Sequence, residues 1–240
     1  MNQLNKILAD NQEMHKKLFM FCMEERLMET APLEEVVSIL KDKGFGAVCL
    51  ICTGTISNCM EISKKLTGQL EMPVVLETDF HKVFTFGISE FAKAAADTGI
   101  SGIRIPNLPF EEQGQMAVHL LEEEGPFLIR EITPASGDRI VQNMQFARGF
   151  IWCGSEGNTE FLSGLQGDPL VFYLYAVEAA ATRPVLLDFD SRYLGNLENY
   201  LDSADGAILG KELRDIFRRE GYSAQKLKDY CSRLEILKSE

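Results

Sequence analysis

The chain has 240 residues with 45% hydrophobic content, enough for one large or two small cored domains. Its 24 lysines and arginines stand against 36 aspartates and glutamates, a net charge of −12 that disfavours nucleic acid or an anionic membrane as partner. The start MNQLNKILADNQEMHKK is too polar for a signal peptide, and no apolar run reaches the roughly 18 residues of a spanning helix, so the expectation is a soluble, cytoplasmic protein.

Along the chain, residues 1–16 carry Leu4, Ile7 and Leu8 at helical spacing and predict an extra helix placed to plug the bottom of a barrel. Short β-rich runs then recur: LFMFCM (18–23), GAVCLIC (46–52), PVVLET (73–78), GIRI (102–105), FLIREI (127–132), FIWC (150–153), PVLLDF (184–189) and GAIL (206–209). Segments of helical periodicity lie between them, at 33–44, 57–70, 89–99, 111–125, 137–149, 167–181, 195–202 and 211–221, with a last one at 223–237. Gly44, Gly99, Gly125 and Gly149 mark helix ends, and Asp168-Pro169 reads as a cap followed by a first-turn proline. LVFYLYAV (170–177) is apolar nearly all round and predicts a buried helix or an interface.

Strands that are apolar on nearly every residue belong to parallel sheets covered by helices on both faces. Eight β-then-α units without a linker predict one domain over 1–240, a single (βα)8 TIM barrel, divided into an N-terminal helix (1–16), barrel (17–222) and C-terminal helix (223–240). An open doubly wound sheet is the competing architecture, but no G-x-G-x-x-G follows the first strand.

Six cysteines are present, at positions 22, 49, 52, 59, 153 and 231, several inside apolar runs where a thiol behaves as a small hydrophobe. Cys49 and Cys52 have redox or zinc spacing, but residues three apart on a strand face opposite sides, so reduced structural cysteines are expected. Neither a cofactor nor a metal is expected.

The stretch PVVLETDFHKVFTFGISEFAKAAADTGISGIRIPNLPFEE resembles the tryptophan synthase alpha chain family. The family has a third strand there, an N-x-V-F-x-x-G run, a helix, and a fourth strand ending in a P-D-L-P-x-E-E-like turn. Val83, Phe84, Gly87, Phe91, Gly99, Pro106, Leu108, Pro109, Glu111 and Glu112 fall in place without a gap, and the likeness continues through FLIREITPASGD, RGFIWCGSEGNTE, PVLLDFD and GAILGKEL. Residues 73–213 carry it, while residues 1–72 match only in element order. The resemblance implies a (βα)8 fold, a ligand pocket at the C-terminal mouth, and kinship with a lyase that cleaves indole-3-glycerol phosphate beside a beta chain.

Departures from the family pattern fall on its chemistry. Where the resemblance implies an acid/base glutamate at the end of the second strand, this chain has Cys49, and a buried thiol is a poor proton exchanger near pH 7. The following S-D-P-x-A-D-G loop, with the second carboxylate and a beta-chain contact, gives way to CTGTISNCME, which argues against that partner. Asn107 replaces the aspartate of the fourth turn. Of the family's phosphate cradle, Gly157, Gly210 and nearby Ser155 fit, whereas G-F-G becomes Asp188-Phe189-Asp190 and the serine after strand eight becomes Lys211. Two carboxylates beside a phosphate oppose its binding, which one lysine offsets only in part.

Charges at strand ends suggest a rebuilt site, since barrel enzymes keep catalytic groups there. Glu77 and Asp79 are the candidate general bases, with Asn107 positioning a ligand also contacted by Cys49, Arg130, Trp152, Ser155, Gly157, Asp188, Phe189, Asp190, Gly210 and Lys211. Trp152 and Phe189 supply an aromatic wall or, as aromatic residues at strand ends more often do, core. The competing reading of the charges is structural: Lys211 paired with Asp188 or Asp190, and Arg130 with Glu77 or Glu131. Three functions follow in order: a lyase or isomerase of altered specificity on a small polar ligand, a non-catalytic metabolite- or protein-binding relative, and a genuine tryptophan synthase alpha subunit.

Overall fold

The computed structural model describes residues 2–122, 125–141, 147–155, 168–188 and 197–234. Nine parallel strands form one sheet: β1 (Leu18–Glu24), β2 (Phe45–Ile51), β3 (Val74–Glu77), β4 (Gly102–Arg104), β5 (Phe127–Leu128), β6 (Arg130–Ile132), β7 (Ile151–Gly154), β8 (Val185–Asp188) and β9 (Gly206–Leu209). Their order is β5-β4-β3-β2-β1-β9-β8-β7-β6. The two ends of that order, β5 and β6, are separated only by Ile129, whose N–H still bonds Ile103 O on β4 at 2.8 Å. They are two pieces of one bent stave, so the sheet curls into the eight-staved (βα)8 barrel that the sequence predicts.

Side chains alternate across this wall. Leu18, Met20 and Cys22 of β1, Ala47 and Cys49 of β2, Val75, Phe127, Ile129, Trp152, Leu186 and Ile208 pack with Phe150 as an inner cluster. The opposite residues, such as Phe21, Val48, Leu50, Leu76, Ile103, Cys153 and Leu187, join a larger outer cluster with the helices. Near-continuous apolar runs are required by this double burial.

Helix α1 (Gln3–Glu13) is capped by Asn2 Oδ1, which accepts from the N–H groups of Leu4 and Asn5 at 3.1 and 3.4 Å. Leu4 and Leu8 enter the inner cluster, so α1 closes the barrel floor as expected from their spacing. Around the wall run α2 (Glu25–Thr30), α3 (Leu33–Asp42), α4 (Ile56–Lys64) with a π-turn over Lys65–Gln69, α5 (Phe80–Phe86), α6 (Ile88–Asp97), α7 (Phe110–Glu122), α8 (Pro169–Ala180), α9 (Leu197–Leu201), α10 (Lys211–Glu220) and α11 (Ala224–Arg233).

Two helices, α2 and α5, are absent from the periodicity reading because each is under two turns long. Of the expected helix over 137–149, residues 142–146 lie outside the described residues; Pro134–Arg139 is a 3₁₀ turn, Ile140 and Val141 are helical, and residues 147–149 are not. Helix α8 buries Leu170, Tyr173, Leu174 and Val177 along one face and leaves Tyr175 exposed, so it is a buried-face helix despite its apolar composition. No helix among the described residues is long and apolar enough to cross a membrane.

Candidate active site at the barrel mouth

Going up the lumen, the inward positions change character near the C-terminal ends of four staves. Glu77 closes β3, Arg104 closes β4, Glu131 lies in β6 and Asp188 closes β8. Glu77 and Arg104 are direct neighbours in register, as are Glu131 and Trp152. Parity in the wall therefore delivers one arginine and three carboxylates into the same opening.

Arg104 organises the mouth. Its Nη1 donates to Glu77 Oε2 at 2.5 Å and its Nη2 to Glu131 Oε1 at 2.7 Å, while Cζ sits 4.3 Å from the centroid of the Trp152 ring. Burial works against this charge, but Glu77 and Glu131 outweigh it and push the guanidinium above its ordinary pKa. The stacking adds a cation–π contact on a desolvated ring.

Trp152 continues the chain of contacts: its Nε1–H donates to Asp188 Oδ2 at 3.0 Å, and Lys211 Nζ pairs with the same oxygen at 3.0 Å. The other Asp188 oxygen is buried with no hydrogen-bond partner among the described residues. Glu77, Arg104, Glu131, Trp152, Asp188 and Lys211 thus form one network across the mouth. A cavity of about 200 Å³ opens beside it, lined by Arg104, Gln113, Arg130, Glu131, Thr133 and Ser136.

The remaining candidates divide between this network and other duties. Ser155 is buried and donates its hydroxyl to Asp188 O at 2.8 Å, bracing that strand end. Cys49 is fully buried on the floor of the mouth, paired in register with Cys22, and its thiol is pushed well up by that neighbour and by burial. Asp79 is exposed and caps α5 through Lys82 N–H at 3.2 Å. Asn107 is exposed too, and its Oδ1 accepts from Phe80 N–H at 2.8 Å, tying the turn after β4 to the start of α5. Gly157, Phe189 and Asp190 lie outside the described residues.

The sequence pattern names Arg130 as the partner of Glu77 or Glu131; the structure puts Arg104 between both instead. Arg130 has the opposite parity, faces away from the lumen and donates to Gln113 Oε1. The expected Lys211–Asp188 pair is present. A signal for Arg104 exists in the sequence, because in GIRI it shares parity with Gly102, which faces inward, and an arginine pointing into a lumen demands anions at matching strand ends.

After β9, Gly210 has φ of 108°, a left-handed conformation natural for glycine, and a Cβ there would approach Cys22 O to 2.8 Å. Its N–H donates to Tyr230 Oη at 3.0 Å, and that hydroxyl donates to Glu212 Oε2 at 2.9 Å. The N–H that opens α10 is thereby occupied from within the chain. After β2, residues 52–55 alone lead into α4, so the short connection expected from CTGTISNCME is observed.

Comparison with known proteins gives a consistent picture. The family model described as the tryptophan synthase alpha chain matches residues 46–239, wider than the 73–213 over which the motifs align. The tryptophan synthase alpha chain of Lachnospira eligens is 31% identical over 164 residues, covering 68% of this chain and 62% of that relative. That of Halalkalibacterium halodurans is 31% identical over 162 residues, 66% of this chain and 60% of its own. The aligned region therefore spans about three fifths of these relatives' length. Among solved structures, the alpha chain from Legionella pneumophila superposes with a TM-score of 0.80 at 17% identity, covering 98% of this chain and 97% of that one, and shows the same fold. With the barrel, its mouth and these matches in agreement, the chain belongs to the tryptophan synthase alpha chain family.

Proposed function

We propose that this family member carries a refitted mouth that acts on a small polar ligand as a lyase or isomerase, without the cleavage of indole-3-glycerol phosphate. The observation that carries this reading is Arg104, which lies over the Trp152 face between Glu77 and Glu131, where a planar apolar substrate group would otherwise stack. Cys49 supports it, since a fully buried thiol whose pKa is pushed up keeps its proton near pH 7 and cannot serve as an acid/base group. In this reading an anionic group on the ligand recruits Arg104, which frees Glu77 to act as the base. Asp79 and Asn107, exposed and engaged with α5, set the rim rather than the chemistry.

The four-residue link after β2 argues against docking of a beta chain at that edge. The Gly210 N–H, held by Tyr230, and Asp188, held by Lys211, argue against a free phosphate. A second reading, a genuine alpha subunit, is favoured by the family match over 46–239. An assay of indole release from indole-3-glycerol phosphate, with and without a tryptophan synthase beta chain, separates the two. We expect no turnover above background; robust turnover that Glu77→Gln abolishes establishes the family reaction and overturns the proposal.

A further inference from the structure

At the C-terminal ends of β1 and β2, three side chains converge that no step above uses. Cys52 follows the last residue of β2, Cys59 is the fourth residue of α4, and Glu25 opens α2. All three are buried, and one ligand atom from each lies within 4.8 Å of the other two. Cys59 Sγ–H donates to Glu25 Oε2 at 3.1 Å. A tetrahedral zinc site, with arms of about 2.0 Å to oxygen and 2.3 Å to sulfur, has ligand-to-ligand edges of roughly 3.5–3.8 Å. The observed spacing needs adjustments of only about 1 Å to meet that figure.

The surroundings are built to hold such a site. Gly54 N–H donates to Glu25 Oε2 at 2.8 Å and Asn58 Nδ2 to Oε1 at 2.8 Å, the kind of outer hydrogen bonds that fix a ligating carboxylate. Lys82 Nζ is 4.0 Å from Cys52 Sγ and anchored on Cys52 O at 2.7 Å, so its charge offsets the net negative charge of two thiolates and a carboxylate around a divalent ion. The Thr78 hydroxyl, in a residue 3% exposed, lies against the Cys52 sulfur. The Thr53 hydroxyl, next along the chain from Cys52, is buried and has no hydrogen-bond partner among the described residues. An unsatisfied buried hydroxyl beside a ligand cluster points to a polar occupant.

We propose that Glu25, Cys52 and Cys59 bind a zinc-class divalent cation at the rim of the barrel, leaving its fourth position to water or a ligand. Two sulfurs and one oxygen select a borderline-soft ion over Mg²⁺ or Ca²⁺, which take oxygen donors. Three protein ligands are the number found in open zinc sites.

The test is titration of the reduced, chelator-stripped full chain with Co²⁺. One equivalent should produce a thiolate-to-cobalt charge-transfer band that Zn²⁺ removes. Cys52→Ser and Cys59→Ser should each lose the band, Cys153→Ser should keep it, and Asn58→Ala should keep it with affinity weakened about 10-fold. Should a cysteine variant fail to fold by circular dichroism, Zn²⁺ protection of Cys52 and Cys59 from alkylation in the unmodified chain, mapped by mass spectrometry, decides the same point. Absence of the band and of protection overturns the proposal, as does a band that survives both serine substitutions. A Cys52–Cys59 disulfide formed on oxidation, with no Co²⁺ bound after reduction, would overturn it in favour of a redox pair.

Discussion

The floor and the mouth of this barrel are lined by the same staves with the same alternation, yet one is filled by Leu4, Leu8, Leu18, Phe127 and Phe150 and the other by Glu77, Arg104, Glu131 and Asp188. Trp152 is the boundary, stacked on Phe150 below at 6.5 Å and covered by Arg104 above. The contrast teaches where each region draws its stability. The floor depends on area and close packing, whereas the mouth depends on every charge keeping its partner, because an orphaned buried charge is far costlier than an absent pair.

Four experiments break or sharpen that contrast. Arg104→Ala, which strands Glu77 and Glu131, is expected to cost about 3–5 kcal/mol of unfolding free energy by chemical denaturation. Converting the whole triad, Glu77→Leu with Arg104→Met and Glu131→Leu, extends the apolar floor upward and is expected to be neutral or stabilising. A triple variant as unstable as the single one would show that the mouth is not held by charge pairing.

On the floor, Leu4→Ala leaves a cavity beneath the lumen and should cost about 3 kcal/mol, with α1 losing amide-exchange protection first. Unchanged protection of α1 would mean that the helix is not held by this contact. The last effect, seen only at alkaline pH, concerns the outer wall. Burial, aided by Asp188 and Glu131, pushes the Cys153 thiol from 9.0 to about 12. A thiol kept neutral by folding contributes stability that is fully present below its unfolded pKa and is lost as pH rises through the folded value. The chain should therefore lose stability between about pH 9 and 12 more steeply than its Cys153→Val variant; parallel melting profiles over that range would refute the assignment.

The fold is legible in the sequence because its signal is local. Runs such as GAVCLIC and PVVLET are apolar on both parities, and only a covered parallel sheet buries both. The two-faced helix α1 is likewise readable from Leu4 and Leu8. At the mouth, the burial of Cys49 and the Lys211–Asp188 pair are legible in the sequence. For Arg104 only the inward parity is legible; its partners are not, because Glu77 and Glu131 are each 27 residues away along the chain. Asp79 and Asn107 look like mouth residues in sequence, but a short helix that no periodicity reveals claims both of them at its N-terminus. The Glu25, Cys52 and Cys59 cluster is invisible for a related reason, since it joins a strand end to two different helices.

Trp152 is the chain's single tryptophan. Its ring is 1% exposed, lies under the Arg104 guanidinium and bonds to Asp188 through Nε1, so the protein carries one intrinsic indole fluorophore and carries it in the mouth. Emission from this chain is thus a site-specific optical readout of whatever moves Arg104 or Asp188, and a ligand screen can run on it with no label attached and no reaction specified.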